Sequence, residues 1–299
     1  MLTTPLGRTG LTVSRMGLGC GGHSRLGLAR GGTHEEAVRV VREAIDLGVD
    51  FIDTAESYKT EEAVGAAIAD VPRESVVVST KIGTSGDPRE RVEGCLQRLH
   101  TDYVDVLHLH GVSPEEYPHA LNDVYPVLAE LKAEGKIRHI GITEGFIRDP
   151  GHRMLAAALE EGPWEVIMVG FSLLNPSART RVLPLTQKRG IGTLGMFAVR
   201  RALSQPEALK ELILELDAKG LLGEPLDPES PLAFLGPNLQ EAAYRFCLWE
   251  PGLDVVLSGT GSVEHLRENA RSLSGPPLPT ETLERLRRTF GDIDSLSGN

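Results

Sequence analysis

At 299 residues, 40% hydrophobic and 24% charged with 33 Gly and 19 Pro, the chain fits one α/β barrel with many short turns, not a disordered segment. Its formal charge of -11, with Lys and Arg scattered along the chain, disfavours a nucleic-acid partner. Cys20, Cys95 and Cys247 form no Cys-x-x-Cys pair, and neither a secretory leader nor an apolar run of about 20 residues is seen, so we expect reduced thiols, no membrane insertion and a cytoplasmic location.

In chain order, Leu6 to Val13 with its central Thr9-Gly10 pair reads as a small hairpin that plugs one barrel end. Runs rich in β-branched residues then alternate with amphipathic stretches. The eight runs are Met16 to Gly19, Asp50 to Asp53, Val76 to Thr80, Val104 to His110, Ile137 to Thr143, Val166 to Gly170, Gly192 to Met196 and Asp254 to Ser258. This βαβα rhythm predicts parallel strands joined by helices: a (β/α)8 TIM barrel with an N-terminal β-hairpin, in a single domain over residues 1–299. Thr33 to Glu36 has the form of a capping box opening a helix that runs to about Leu47, and Gly48, Gly135 and Gly190 close helices before the next strand. Gly220 to Asn238, before the eighth strand, is rich in Pro, Gly and Leu without a period, and reads as a long loop of the kind that often covers substrates.

Active sites of such barrels lie at the carboxyl ends of the strands. Asp53 closes the second strand with Tyr58 five residues beyond, Lys81 follows the third, and His110 ends the fourth. A carbonyl receiving hydride accumulates negative charge on oxygen and needs a proton donor. Tyr58 can supply the proton, with its pKa lowered by the Lys81 ammonium; Asp53 keeps that ammonium charged, and a neutral His110 hydrogen-bonds the carbonyl oxygen. Taken singly, each has a structural reading: a rim ion pair, a loop aromatic, a satisfied histidine. Their joint occurrence at successive strand ends argues for chemistry. His108, two residues earlier on the same face, reads as core or support. Gly17-x-Gly19-x-x-Gly22 matches a dinucleotide fingerprint in letters only, since no helix opens directly after it; Gly22 reads as a turn where backbone approaches a ligand.

These residues resemble the aldo-keto reductases over essentially the whole chain. The resemblance is carried by Leu6 to Ser14, Phe51-Ile52-Asp53-Thr54-Ala55 with Tyr58, Ser79-Thr80-Lys81, Asp102-Tyr103-Val104-Asp105 leading to His110, and the late Glu268-Asn269 pair. It implies an NAD(P)(H)-dependent oxidoreductase acting on a small aldehyde, ketone or alcohol through the Asp53, Tyr58, Lys81, His110 tetrad, without a metal. It also puts Thr143 and Glu144 in the place of a Ser-Asn pair on the nicotinamide carboxamide, Met168 in that of a glutamine, and Phe171 in that of an aromatic stacked on the ring. Met196, Phe197 and Val199 would approach the pyrophosphate, with Gly259, Thr260, His265, Glu268 and Asn269 around the adenosine.

Three positions depart from the pattern. Met168 and Glu144 replace amide donors, and the Glu144 charge would favour oxidised nicotinamide, hence the dehydrogenase direction. His265 stands where many members carry an arginine for the 2′-phosphate, with Arg267 or Arg271 as substitutes. The resemblance favours NADP(H), with NAD(H) open. Two other functions compete: a cofactor-binding regulatory protein of the same fold with little turnover, and a lyase forming a Schiff base on Lys81, against which the neighbouring Asp53 argues. Oligomeric state and substrate are not legible.

Overall fold

Residues in a strand alternate between faces, so a parallel strand covered by helices outside and side chains inside must be apolar on both. The runs from Met16 onward meet that demand, and in the computed structural model, which describes residues 1–296, they close into a barrel. A two-stranded antiparallel pair, β1 (Thr3–Pro5) and β2 (Thr12–Ser14), precedes it. The barrel strands are β3 (Met16–Gly19), β4 (Phe51–Asp53), β5 (Val77–Ile82), β6 (Val104–Val112), β7 (Ile137–Glu144), β8 (Val166–Gly170), β9 (Gly192–Met196) and β10 (Val255–Ser258). All barrel pairs are parallel, and β10 returns to β3 through Val256 opposite Met16, which closes the ring.

Along β8 the alternation is direct. Val166 and Met168 join an interior cluster with Leu6, Phe51, Val77, Val106, Leu194 and Val255, while Ile167 and Val169 join the outer core under the helices. Leu6 and Val13 are fully buried in the interior cluster, so the N-terminal segment does plug the barrel. Its pairing differs from expectation: Leu6 to Leu11 form the loop, tied by Leu6 N–H to Leu11 O at 2.9 Å, and the strands lie outside it. The Thr9-Gly10 signal marks the turn correctly, but the Thr9 hydroxyl donating to Leu6 O widens the loop.

Above the apolar layer the inward positions become polar. Register sets Asp53 beside Ser79, Lys81 beside His108, and His108 beside Gly141. Strands β5, β6 and β7 run on to Ile82, Val112 and Glu144, beyond the expected ends, and β6–β7 pairing shifts between Leu109 and Val112, where Gly111 has φ 64°. That irregularity lets β6 carry His110 outward on the rim.

The helix His34–Asp46 opens with both bonds of the capping box, Glu36 N–H to Thr33 Oγ1 and Thr33 N–H to Glu36 Oε2. Thr33→Ala is therefore expected to cost about 1 kcal/mol in urea unfolding with an unchanged slope. Gly48, Gly135 and Gly190 have the left-handed φ expected of closing positions. The segment 219–238 has only the 3-10 turn Ala233–Leu235. Its middle is anchored away from the rim: Gly223 N–H donates to Thr289 O, and Glu224 pairs with Arg285 and Arg288 of the helix Thr280–Phe290. Only its end, Pro237 and Asn238, reaches the cleft described below. Among the described residues no helix is long and apolar enough to cross a membrane.

Candidate active site

The tetrad residues converge. Lys81 Nζ is fully buried and donates to Asp53 Oδ2 at 2.6 Å and to the Thr54 carbonyl at 2.7 Å. It lies 4.9 Å from the centre of the Tyr58 ring, whose hydroxyl is 3.3 Å from His110 Nε2. The two rings meet edge to face at 5.3 Å. Tyr58 comes from the short 3-10 turn Glu56–Tyr58 after β4, Lys81 from β5 and His110 from β6, so adjacent strands alone bring the groups together.

Burial is the largest influence on each of these groups. It pushes the Asp53 carboxyl up against the opposing pull of Lys81. The Lys81 ammonium is disfavoured by burial, but Asp53 and Tyr58 more than offset this and hold its pKa above the usual lysine range. The Tyr58 phenol is raised by burial despite the pull of Lys81, which corrects the expectation of a lowered value. His110 is pushed down to about 3 by burial, Lys81 and Arg91, so its ring is neutral near pH 7.

A second layer lies beneath. Ser79 Oγ donates to Asp53 Oδ1 at 2.7 Å and is 3.3 Å from His108 Nδ1. With the Ser79 proton spent on Asp53, His108 must donate from Nδ1. Its Nε2 then faces Gly141 without a hydrogen-bond partner among the described residues, and burial followed by Lys81 holds its pKa well below the usual range. His108 thus supports Asp53 through Ser79, as its depth on the strand suggested.

Gly21 has a role the fingerprint reading did not find. A Cβ there would lie 2.4 Å from Tyr58 Cε2, whereas Gly22, with φ 70°, has open space around its Cβ direction. We expect Gly21→Ala to displace the Tyr58 ring and lower kcat by about tenfold or more, with little change in unfolding free energy. Equal steady-state rates for the variant and the parent would show that the ring position is not set there. The Asp102 to Asp105 motif is structural: Asp105, fully buried, accepts from Arg73, Arg138 and Val78 N–H, and both guanidinium groups stack on Tyr103.

The nicotinamide-end expectations fare differently. Glu144 is fully buried; its Oε1 accepts from Gly170 N–H at 2.7 Å, and both oxygens lie 3.0 Å from His152 Nδ1. Its carboxylate is thus engaged within the protein and offers neither a free acceptor to a carboxamide nor an exposed charge to a pyridinium. Thr143 Oγ1 accepts from Gly111 N–H at 2.6 Å and holds the irregular end of β6. Phe171 continues the β8 alternation outward: it is 1% exposed, stacked on Phe246 at 5.5 Å, with Arg179 over the pair. Met168 fills the barrel interior. The half-exposed aromatic near this rim is Phe197, at φ 73°, with Phe146 5.7 Å away and the Arg200 guanidinium 3.8 Å above its ring.

Arg200 was not singled out in the sequence. Its Nε has no hydrogen-bond partner among the described residues, and burial lowers its pKa to about 10. A cation without a carboxylate, one residue past the Met196 to Val199 turn, suits a phosphate. Beyond it opens a cleft of about 1410 Å3, lined by Val199, Gly259, Thr260, His265, Glu268 and Asn269 but by none of the tetrad. Its floor is close-packed backbone, for a Cβ on Gly261 would meet Gly27 N at 2.4 Å. Ser262 Oγ caps the helix Val263–Ser272 by accepting from His265 N–H. Asn269 Nδ2 donates to Ser258 Oγ, and Thr260 Oγ1 accepts from Ser262 N–H.

A sequence model described as the aldo/keto reductase family matches residues 16–289. The chain is 30% identical to the NADH-specific methylglyoxal reductase of Escherichia coli, over 92% of this chain and 94% of that protein. It is 28% identical to the L-galactose dehydrogenase of Arabidopsis thaliana, over 97% and 92%. The structure of an aldo-keto reductase from Bacillus halodurans in its holo form superimposes with a TM-score of 0.74 at 25% identity, covering 96% of each chain.

Proposed function

From the membership of this chain in the aldo/keto reductase family we propose that Asp53, Tyr58, Lys81 and His110 carry the reduction of a small aldehyde or ketone by a nicotinamide cofactor. The chain is an NAD(P)-dependent oxidoreductase. NADP(H) is the cofactor that the family supports, and its NADH-specific relative leaves NAD(H) open. When bound, the nicotinamide supplies a hydride to the carbonyl carbon. Everything else falls to the protein. The observation that carries the reading is the buried Lys81 ammonium, anchored by Asp53 and Thr54 against the Tyr58 ring.

The carbonyl oxygen would lie beside the Tyr58 and His110 pair, within hydrogen-bond reach of both the Tyr58 hydroxyl and His110 Nε2. Tyr58 gives it a proton as charge builds, and the adjacent ammonium stabilises the phenolate left behind. His110, neutral, hydrogen-bonds the same oxygen and orients the substrate. Val199, Gly259, Thr260, His265, Glu268 and Asn269 would hold the adenosine end, Arg200 would pair with the pyrophosphate, and Phe197, in place of Phe171, would be the aromatic offered to the nicotinamide. The same reading makes the chain one cytoplasmic domain over 1–299, of which the last three residues lie outside those described.

A Schiff base on Lys81 is disfavoured because its nitrogen is wholly buried and kept protonated. A regulatory protein would bind cofactor without turnover. Following NAD(P)H oxidation with a panel of aldehydes, beside a binding titration, separates the readings: turnover is expected, and tight binding without it would favour the regulator. The pH dependence follows from the donor. Reduction needs the protonated phenol, and the raised Tyr58 pKa keeps it protonated to beyond the usual tyrosine range. His110 titrates near 3 and adds no limb at neutral pH. The kcat/KM profile for reduction should therefore be flat through pH 6–8, and a limb near 6.5 abolished by His110→Gln would contradict the assignment.

A further inference from the structure

Two of the helices that line the cleft, His34–Asp46 and Val263–Ser272, bring charge to it. Part of that charge is committed close to its own helix. Glu36 serves the capping box, and Glu264 accepts from the Ser262 hydroxyl at the start of the facing helix. One pair instead spans the gap. Arg267 Nε donates to Glu43 Oε1 at 2.7 Å, joining the two helices, with the Glu43 side chain 19% exposed and that of Arg267 52% exposed.

We propose that Glu43 is a cofactor-selecting residue: by holding Arg267 across the cleft, it withholds from a ribose 2′-phosphate the cation that would otherwise pair with it. The inference rests on the reading of this cleft as the adenosine end of a dinucleotide site. A 2′-phosphate is a near-dianion that binds best to an arginine fork. His265, on the same helix, is an imidazole and offers no guanidinium fork. Arg267 is the stronger partner, but the Glu43 carboxylate takes its Nε and adds a negative charge beside the incoming phosphate. A free 2′-hydroxyl carries no charge and suffers no such repulsion. The ion pair is half exposed and therefore weak, so it tunes selection without forbidding NADP(H).

The test is equilibrium binding, by ligand titration, of NADPH, NADH, adenosine 2′,5′-bisphosphate and adenosine 5′-monophosphate to the full-length wild type, Glu43→Gln, Arg267→Gln and the double variant. Glu43→Gln is expected to tighten both 2′-phosphorylated ligands by about three- to tenfold and leave NADH and the monophosphate unchanged. Adding Arg267→Gln should abolish that gain. A tie that merely joins the two helices would alter all four ligands alike, and that result would overturn the proposal, as would an unchanged ratio. If neither NADH nor NADPH binds the wild type, the reading of the cleft fails and the proposal with it. If both bind but the ratio is insensitive to Glu43, only the selecting role is lost.

Discussion

Tyr58→Phe should lower kcat for carbonyl reduction by about 10²- to 10⁴-fold, the usual worth of a positioned proton donor. The ring itself should stay where it is. It is gripped edge to face by His110 at 5.3 Å and has the Gly21 backbone against its Cε2 side, and a phenylalanine keeps both contacts. What is lost is the hydroxyl 3.3 Å from His110 Nε2, the one acidic proton between Lys81 and the substrate oxygen. Cofactor dissociation constants should stay within about twofold, since an interaction made only in the transition state leaves ground-state binding alone. Stopped-flow single turnovers with prebound reduced cofactor read the chemical step directly. A variant that turns over at the parental rate would remove Tyr58 from the mechanism.

Lys81→Met is expected to act on stability and activity together. The ammonium and the Asp53 carboxylate are both buried and 2.6 Å apart, so deleting one strands the other in a medium that cannot solvate it. Breaking such a pair costs about 3–5 kcal/mol, which denaturant unfolding would show as a lower midpoint with an unchanged slope. The double variant Asp53→Asn/Lys81→Met should recover most of that loss, because no unpaired charge remains. It should not recover turnover, since the phenolate would still lack its counter-charge, and a deficit of at least about a hundredfold should persist. If restoring stability restored activity, the pair would be structural only.

The strands could be read because the constraint on them is local and severe: buried on two faces, each must be a short apolar run. The convergence of Asp53, Lys81 and His110 could be read because they stand at the carboxyl ends of adjacent strands, which need no long-range guess to bring them together. Its electrostatics were harder. The Tyr58 shift depends on how far burial outweighs one ammonium, a contest of environments that no spacing encodes. The partners of the nicotinamide-end residues were illegible for a different reason. Glu144 is held by His152, which adopts φ 62° just before the helix Arg153–Glu161, and a partner placed by one left-handed residue leaves no periodic trace. Phe171 keeps the outward parity of Val169, so continuing the β8 alternation one step past its last residue would have placed the ring under the helices. Arg200 stands out only when its missing partner is seen. Gly220 to Asn238 was correctly read as irregular, but the anchor at Glu224 is set by a helix some sixty residues later.

In the proposed reaction the hydride comes from the nicotinamide and the proton on oxygen comes from Tyr58, held in place by Lys81, Asp53 and His110. The direct test uses reduced cofactor deuterated at its transferable position, an aldehyde that the enzyme accepts, and mass spectrometry of the alcohol. One deuterium is expected on the former carbonyl carbon, with the label arriving far more slowly in Tyr58→Phe. Product carrying only solvent hydrogen on that carbon, or label transfer at an unaltered rate in the variant, would contradict it.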